Sequence, residues 1–61
     1  MSFQTENSWV ELEYQLQTIQ NEINHRRSLV HRNVDPLKNR QAIESLRAVR
    51  SKVMQQLAAL G

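Results

Sequence analysis

The chain of 61 residues contains no cysteine, one glycine and one proline. The absence of cysteine excludes disulfides and cysteine-based metal sites, and it fits a reducing compartment, so we expect a cytoplasmic protein. A single glycine, Gly61, and a single proline, Pro36, leave too few turn-forming residues for a sheet of several strands. The scarcity of these residues therefore predicts an all-α fold.

Long hydrophobic runs are also missing. No apolar run approaches the ~20 residues of a membrane span, and residues 1–6 lack the basic and apolar regions of a signal peptide. Apolar residues make up 39% of the chain, charged residues 23%, and the formal net charge is +2. These values are typical of a soluble domain with a modest core, and we expect no membrane association.

The chain is short for a domain that has no covalent or metal staple. A chain of about 60 residues buries only about 60% of its unfolded surface on folding and is marginally stable by itself. The size therefore argues against most enzymes, and it raises the question of what else stabilises the fold.

Apolar residues recur at steps of three and four in the first half of the chain, which predicts a helix with one narrow buried face. The members of this stripe are Trp9, Leu12, Leu16, Ile19, Ile23 and Val30. Arg26 occupies the one position of the series that is not apolar. Ser8 and Glu11 match a capping box, so we expect helix 1 to span about 8–32 behind a flexible leader of residues 1–7.

A turn over residues 33–35 is predicted to end this helix. Asn33 tolerates the left-handed conformation that closes many helices. Asp35 and Pro36 match an N-cap residue followed by proline at the first helical position. A second helix should therefore start at Pro36.

Helix 2 is predicted to span about 36–60, with Gly61 as its stop. Its apolar stripe consists of Ile43, Leu46, Val49, Val53, Leu57 and Leu60. Because the connection is so short, the two helices must lie antiparallel. Residues 8–61 are therefore predicted to form a coiled-coil-like helical hairpin.

The two stripes also predict an alignment. Placing Ile23 near Leu46 matches apolar residues along most of the seam between the helices, and it leaves Arg26 beside Ile43. A polar residue in such a seam can fix the register at some cost in stability. Alternatively, its stem packs while the guanidinium reaches water, which is the interpretation we favour.

Several apolar side chains fall outside or at the end of the stripes and are candidates for an oligomer or partner interface. They are Trp9, Val10, Tyr14, Leu29, Leu37 and Met54. One interpretation is a homodimer in which two hairpins form a four-helix bundle. Another is a groove for a helix of a different protein. A third is a lone hairpin with ordinary exposed apolar residues.

The charges divide along the chain. Residues 1–24 carry four glutamates and no Lys or Arg, whereas residues 25–52 carry all eight Lys and Arg residues against Asp35 and Glu44. The hairpin gathers a basic tip at its turn end, with Arg26, Arg27, Arg32, Lys38 and Arg40 as possible nucleic-acid contacts. Three interpretations of the tip are open: it faces the acidic end of an antiparallel second hairpin, it contacts RNA or DNA phosphates, or it is simply solvated.

No catalytic or metal-binding constellation is present in the sequence. His25 and His31 are six residues apart, which is not the spacing of two ligands on one helix face. There is no glycine-rich phosphate loop and no nucleophile with a base beside it. We expect no enzyme activity, no cofactor, no metal and no small-molecule substrate. The predicted function is non-catalytic helix–helix interaction, as an oligomeric adaptor, assembly or regulatory subunit; the alternative is an RNA- or DNA-binding regulator.

Overall fold

Two helices and a short turn make up the structure. The computed structural model describes the backbone of residues 2–60 and the side chains of residues 8–60. Helix α1 spans Ser2–His31 and helix α2 spans Pro36–Leu60, with no strand in this range. The two helices pack against each other. The predicted all-α hairpin is therefore confirmed.

Helix α1 begins earlier than predicted, and α2 has the predicted bounds. The backbone is already helical at Ser2, so residues 2–7 continue α1 and do not form a separate leader. Residues 2–7 contain neither proline nor glycine, and a capping-box sequence does not stop a helix that extends past it. Helix α1 ends one residue before the predicted Arg32. Gly61, the predicted stop of α2, lies outside the described residues.

The turn after α1 is a Schellman motif. Asn33 has a φ of 60°, in the left-handed region. The Asn33 N–H donates to the Val30 carbonyl at 3.0 Å, and the Val34 N–H donates to the Leu29 carbonyl at 2.9 Å. This 5→2 and 6→1 pair of bonds satisfies two of the carbonyls that a helix end otherwise leaves open. The predicted role of Asn33 is confirmed.

Asp35 starts α2 differently from an ordinary N-cap. Its carbonyl accepts the first helical bond, from the Asn39 N–H at 3.0 Å. Its φ of 41° is left-handed, whereas an N-cap residue is usually extended, and within residues 8–60 its carboxylate makes no capping hydrogen bond. Asp35 therefore holds the predicted N-cap position before Pro36, without the side-chain hydrogen bond that usually accompanies it.

The seam between the helices is narrow. Among the described side chains, the buried apolar residues are Ile23, Ile43 and Val53, and Ile23 is fully buried. The Arg50 Nη1 donates to Gln20 Oε1 at 2.8 Å, which sets the alignment within one residue of the predicted one. Arg50 is half-buried and Val49 is exposed, so Arg50 occupies the central position of the α2 stripe that the apolar pattern assigned to Val49.

The resulting molecule is long and thin. Its Cα atoms span 48 × 14 × 12 Å, and their radius of gyration of 14.3 Å exceeds the roughly 10.5 Å of a compact domain of this length. Its accessible surface is 4995 Å², about 900 Å² above the roughly 4,100 Å² expected for a compact monomer of 7.2 kDa. Most side chains therefore lie on a surface.

Candidate functional site

A polar network joins the two helices at the turn end. The Asn39 side chain is only 5% exposed; its Nδ2 donates to the carbonyls of Val34 at 2.7 Å and Asp35 at 3.1 Å. Its Oδ1 accepts from Arg26 Nη1 at 3.0 Å, and Arg26 Nε donates to Glu22 Oε2 at 2.9 Å. No buried side-chain polar atom of residues 8–60 lacks a partner. The network thus holds the turn end in one arrangement.

This network corrects the interpretation of Arg26. Its guanidinium does not simply extend into water, because it bridges Glu22 on its own helix and Asn39 on the other. The pair with Glu22 is the one ion pair among residues 8–60. The guanidinium of Arg26 therefore stabilises the hairpin through hydrogen bonds within the chain. The other four residues predicted for nucleic-acid contact are exposed.

The six residues predicted for a protein interface do not form one surface. Trp9, Val10, Tyr14, Leu37 and Met54 are exposed, and Leu29 is half-buried. Val10 and Tyr14 are four residues apart on the outside of α1 near the open end, where the helix termini meet, whereas Leu37 lies at the turn end. Met54 and Leu29 lie on different sides of the seam. The structure therefore separates these residues into distinct surfaces.

One side of the seam, which we call the apolar flank, carries uncharged residues of α2 at heptad spacing. They are Ala42, Val49 and Gln56, which fall on one line because seven residues are close to two helical turns. The matching line on α1 consists of Ser8, Gln15, Glu22 and Leu29. The alignment at Gln20 and Arg50 places Leu29 across the seam from Ala42. Leu29 and Ala42 are both half-buried.

The open end of the apolar flank contains a shallow hollow. Its lining residues are Ser8, Glu11, Leu12, Gln15, Gln56, Ala59 and Leu60. Most of the surface of this hollow is apolar. Because Gln15 and Gln56 line it together, the two heptad lines indeed face the same side of the hairpin. The hollow and the Leu29–Ala42 pair lie at opposite ends of this flank.

The other side of the seam carries a basic groove near the turn. Its lining residues are Arg27, Val30, His31, Arg40, Ile43, Glu44 and Arg47. Val30 and Ile43 supply an apolar floor, and Glu44 is the single carboxylate in the lining. Arg27 is two residues before Leu29, a rotation of about 200°, so the groove and the apolar flank lie on opposite sides.

The groove divides the predicted nucleic-acid residues. Arg27 and Arg40 line it together, whereas Lys38 lies with Asp35 and Pro36 at a separate surface at the turn. Arg47 belongs to the groove and was not predicted. The sequence signal for Arg47 was its spacing of seven from Arg40, which places two arginines of one helix on one line.

Other kinds of site are not supported by the described residues. Within them, no group of three or more His, Asp or Glu side chains is placed to hold a metal ion. Neither described helix combines the length and hydrophobicity needed to cross a membrane. Comparison with protein-family models, with curated proteins and with solved structures finds no match for this chain.

Proposed function

We propose that this protein is a non-catalytic helix–helix interaction protein whose hairpin dimerises into a four-helix bundle. Such a dimer would act as an adaptor, assembly or regulatory subunit. The observation that supports the proposal is the imbalance between the buried core and the exposed apolar surface.

The core of a single hairpin is very small. Among the side chains of residues 8–60, three apolar ones are buried, whereas eight large apolar ones are at least 38% exposed. These eight are Trp9, Val10, Tyr14, Val34, Leu37, Val49, Met54 and Leu60. Each large apolar side chain contributes about 1.5–3 kcal/mol when it is fully buried, so a second pair of helices adds stability that the seam alone does not provide. In a four-helix bundle each helix packs against two neighbours.

Sedimentation equilibrium of the purified chain tests this proposal. We expect a molar mass of twice 7.2 kDa at micromolar concentration. Because apolar burial drives the association, the mass should persist at 1 M salt, where the Debye length is about 3 Å. A monomer that stays helical and unfolds cooperatively over the same concentration range would contradict the proposal.

The basic groove supports a second candidate function, the binding of a nucleic-acid backbone. Arg27, Arg40 and Arg47 line one groove together with His31, and none of the three arginines forms an ion pair within residues 8–60. Clustered guanidinium groups bind phosphates by releasing condensed counterions, which needs no aromatic side chains. A duplex recognised through its backbone fits this groove better than single strands, since no aromatic residue lines it.

Titration of labelled duplex RNA and DNA at two salt concentrations tests the groove. Arg47→Glu should weaken binding and lower the slope of log K against log salt by about 1. Lys52→Glu is the matched control, because it makes the same change in charge at an exposed residue that does not line the groove. Equal losses for the two variants, or no binding of the unmodified chain at low salt, would reject this function.

A further inference from the structure

We propose that the apolar flank is the surface on which a second copy of the chain binds, antiparallel, about a two-fold axis beside Val49. This inference rests on the proposed function and adds the surface and the orientation. It follows from the order of features along the flank.

The features of the flank are evenly spaced about Val49. Ala42 lies seven residues before Val49 and Gln56 seven residues after it, so each is about 10 Å from Val49 along the helix. Ala42 marks the Leu29 end of the flank, and Gln56 lines the hollow at the other end. A two-fold axis at Val49 therefore places Leu29 and Ala42 of each chain over the hollow of its partner.

The shapes at the two ends complement each other. The hollow has an apolar surface formed by Leu12, Ala59 and Leu60 and no described side chain fills it. Leu29 is half-buried in its own hairpin, so part of its side chain remains available for a second chain. The same patch thus supplies both a partly exposed leucine and a hollow to receive it, which is the requirement for a two-fold symmetric interface.

The charges at the two ends favour the antiparallel orientation. Glu11 lies at the hollow, whereas Arg32 and Lys38 lie within four residues of Leu29 and Ala42 on the same sides of their helices. The two-fold axis brings each Glu11 to the Arg32 and Lys38 of the other chain. A parallel arrangement would instead place like charges against each other.

Two charged residues lie near the axis: Glu22, and Lys52, which is three residues after Val49 on the same side of α2. Glu22 already has a counter-charge. Glu22 lies across the seam from Val49, and its carboxylate accepts a hydrogen bond from Arg26 at 2.9 Å. The ion pair is part of the network that reaches Asn39, so the two Glu22 carboxylates of the dimer are each neutralised within their own chain. The axis therefore does not bring together two uncompensated negative charges.

The opposite flank also has hollows with a largely apolar lining, but it differs in charge. Its turn half carries Arg27, Arg40 and Arg47, and its open half carries Glu13 and Met54 around a small hollow. Its middle is occupied by Gln20, which already binds Arg50. The excess surface of the hairpin, about 900 Å², is close to the roughly 800 Å² that one partner buries in an interface of standard size.

A pair of matched lysine variants tests the surface. Val49 and Met54 are 48% and 53% exposed on the same helix but lie on opposite flanks. We expect Val49→Lys to raise the dimer dissociation constant about 100-fold, because two ammonium groups meet at the axis, and Met54→Lys to change it less than threefold. Both constants come from sedimentation equilibrium of the full chain.

Single-cysteine variants test the same surface and its orientation without adding charge, since the chain has no cysteine of its own. Under mild oxidation Val49→Cys should form a disulfide-linked dimer. Leu29→Cys should not, because the axis leaves the two Leu29 positions about 20 Å apart. Met54→Cys should not either, because Met54 lies on the opposite flank.

The outcomes separate this inference from the proposed function. A dimeric chain that tolerates Val49→Lys, or that is disrupted more by Met54→Lys, overturns the assigned surface while the proposed function stands. Rapid crosslinking of Leu29→Cys overturns the antiparallel orientation. A chain that is monomeric at every concentration overturns both the inference and the homodimer of the proposed function.

Discussion

Asn39 is the residue on which the geometry of the turn end depends most. Its amide uses both donors and its acceptor, and it is almost completely buried, so its removal leaves several groups without a partner at once. A buried amide at a seam position is also a device that selects one register, because any shift would place it against apolar side chains. Asn39 and Arg26 therefore act as a pair across the helices.

Asn39→Ala should lower the free energy of unfolding by about 1–3 kcal/mol, since buried hydrogen-bonding groups lose their partners. Asn24→Ala is the control, because Asn24 is exposed and accepts a hydrogen bond from Gln20 on the same helix. It should change stability by less than about 0.5 kcal/mol. Urea unfolding at one fixed protein concentration measures both variants.

A double-mutant cycle with Arg26→Met then isolates the contact between the helices. The coupling energy of Arg26 and Asn39 should be about 0.5–3 kcal/mol. Additive effects of the two substitutions would contradict a direct interaction across the seam.

At the scale of the helices, the turn combines two left-handed residues that are not glycine. Asn33 belongs to the residue types that enter this region most readily, and it forms the Schellman motif. Asp35 has no capping hydrogen bond to compensate for its φ of 41°. Asn33 is therefore well suited to the left-handed conformation at the end of α1, whereas Asp35 is less suited to the left-handed conformation at the start of α2.

Glycine and alanine substitutions at the turn separate these two cases. Asp35→Gly should raise stability by about 0.5 kcal/mol. Glycine has no Cβ atom, so it avoids the steric penalty of the left-handed conformation, and the larger conformational entropy that it loses on folding offsets only part of this gain. Asn33→Ala should lower stability by about 1 kcal/mol. Thermal melts at constant concentration measure both; a loss of more than about 1 kcal/mol for Asp35→Gly would show that the carboxylate caps α2 after all.

The sequence predicted the helices and their alignment because steps of three and four residues and a single proline allow few alternatives. It misassigned the middle of the α2 stripe because hydrophobicity selected Val49, whereas steps of four and three through Asn39, Ile43 and Leu46 lead to Arg50. The heptad spacing predicts the seam residues of α2 better than hydrophobicity does, because it also includes the polar residues of the seam. The role of Asn39 was missed because two of its three side-chain hydrogen bonds go to turn carbonyls, which no residue pattern specifies.

The candidate surfaces were less predictable than the helices. Apolar residues outside the stripes were grouped by composition, but the alignment of the helices decides which flank each one occupies. Leu29 and Met54 lie on opposite flanks for this reason, and the hollow near Leu60 exists only because two helices meet there. Charge segregation along the chain did predict a basic turn end, since all eight Lys and Arg residues lie within residues 25–52.

At the scale of the whole molecule, the hairpin has two different sides. The proposed dimer would cover the apolar flank and leave the basic groove on the other side accessible. An antiparallel dimer would carry one basic groove towards each end. Association and polyanion binding would then use separate residues and be separable by mutation.

The most direct test of dimerisation is the concentration dependence of thermal unfolding. For a dimer of 122 residues that unfolds to separate chains, a hundredfold rise in concentration should raise the midpoint by about 10 °C, because mass action favours the associated state. Circular dichroism from about 1 to 100 μM measures this shift. A cooperative transition whose midpoint does not move would show that the hairpin is stable as a monomer and would contradict the account.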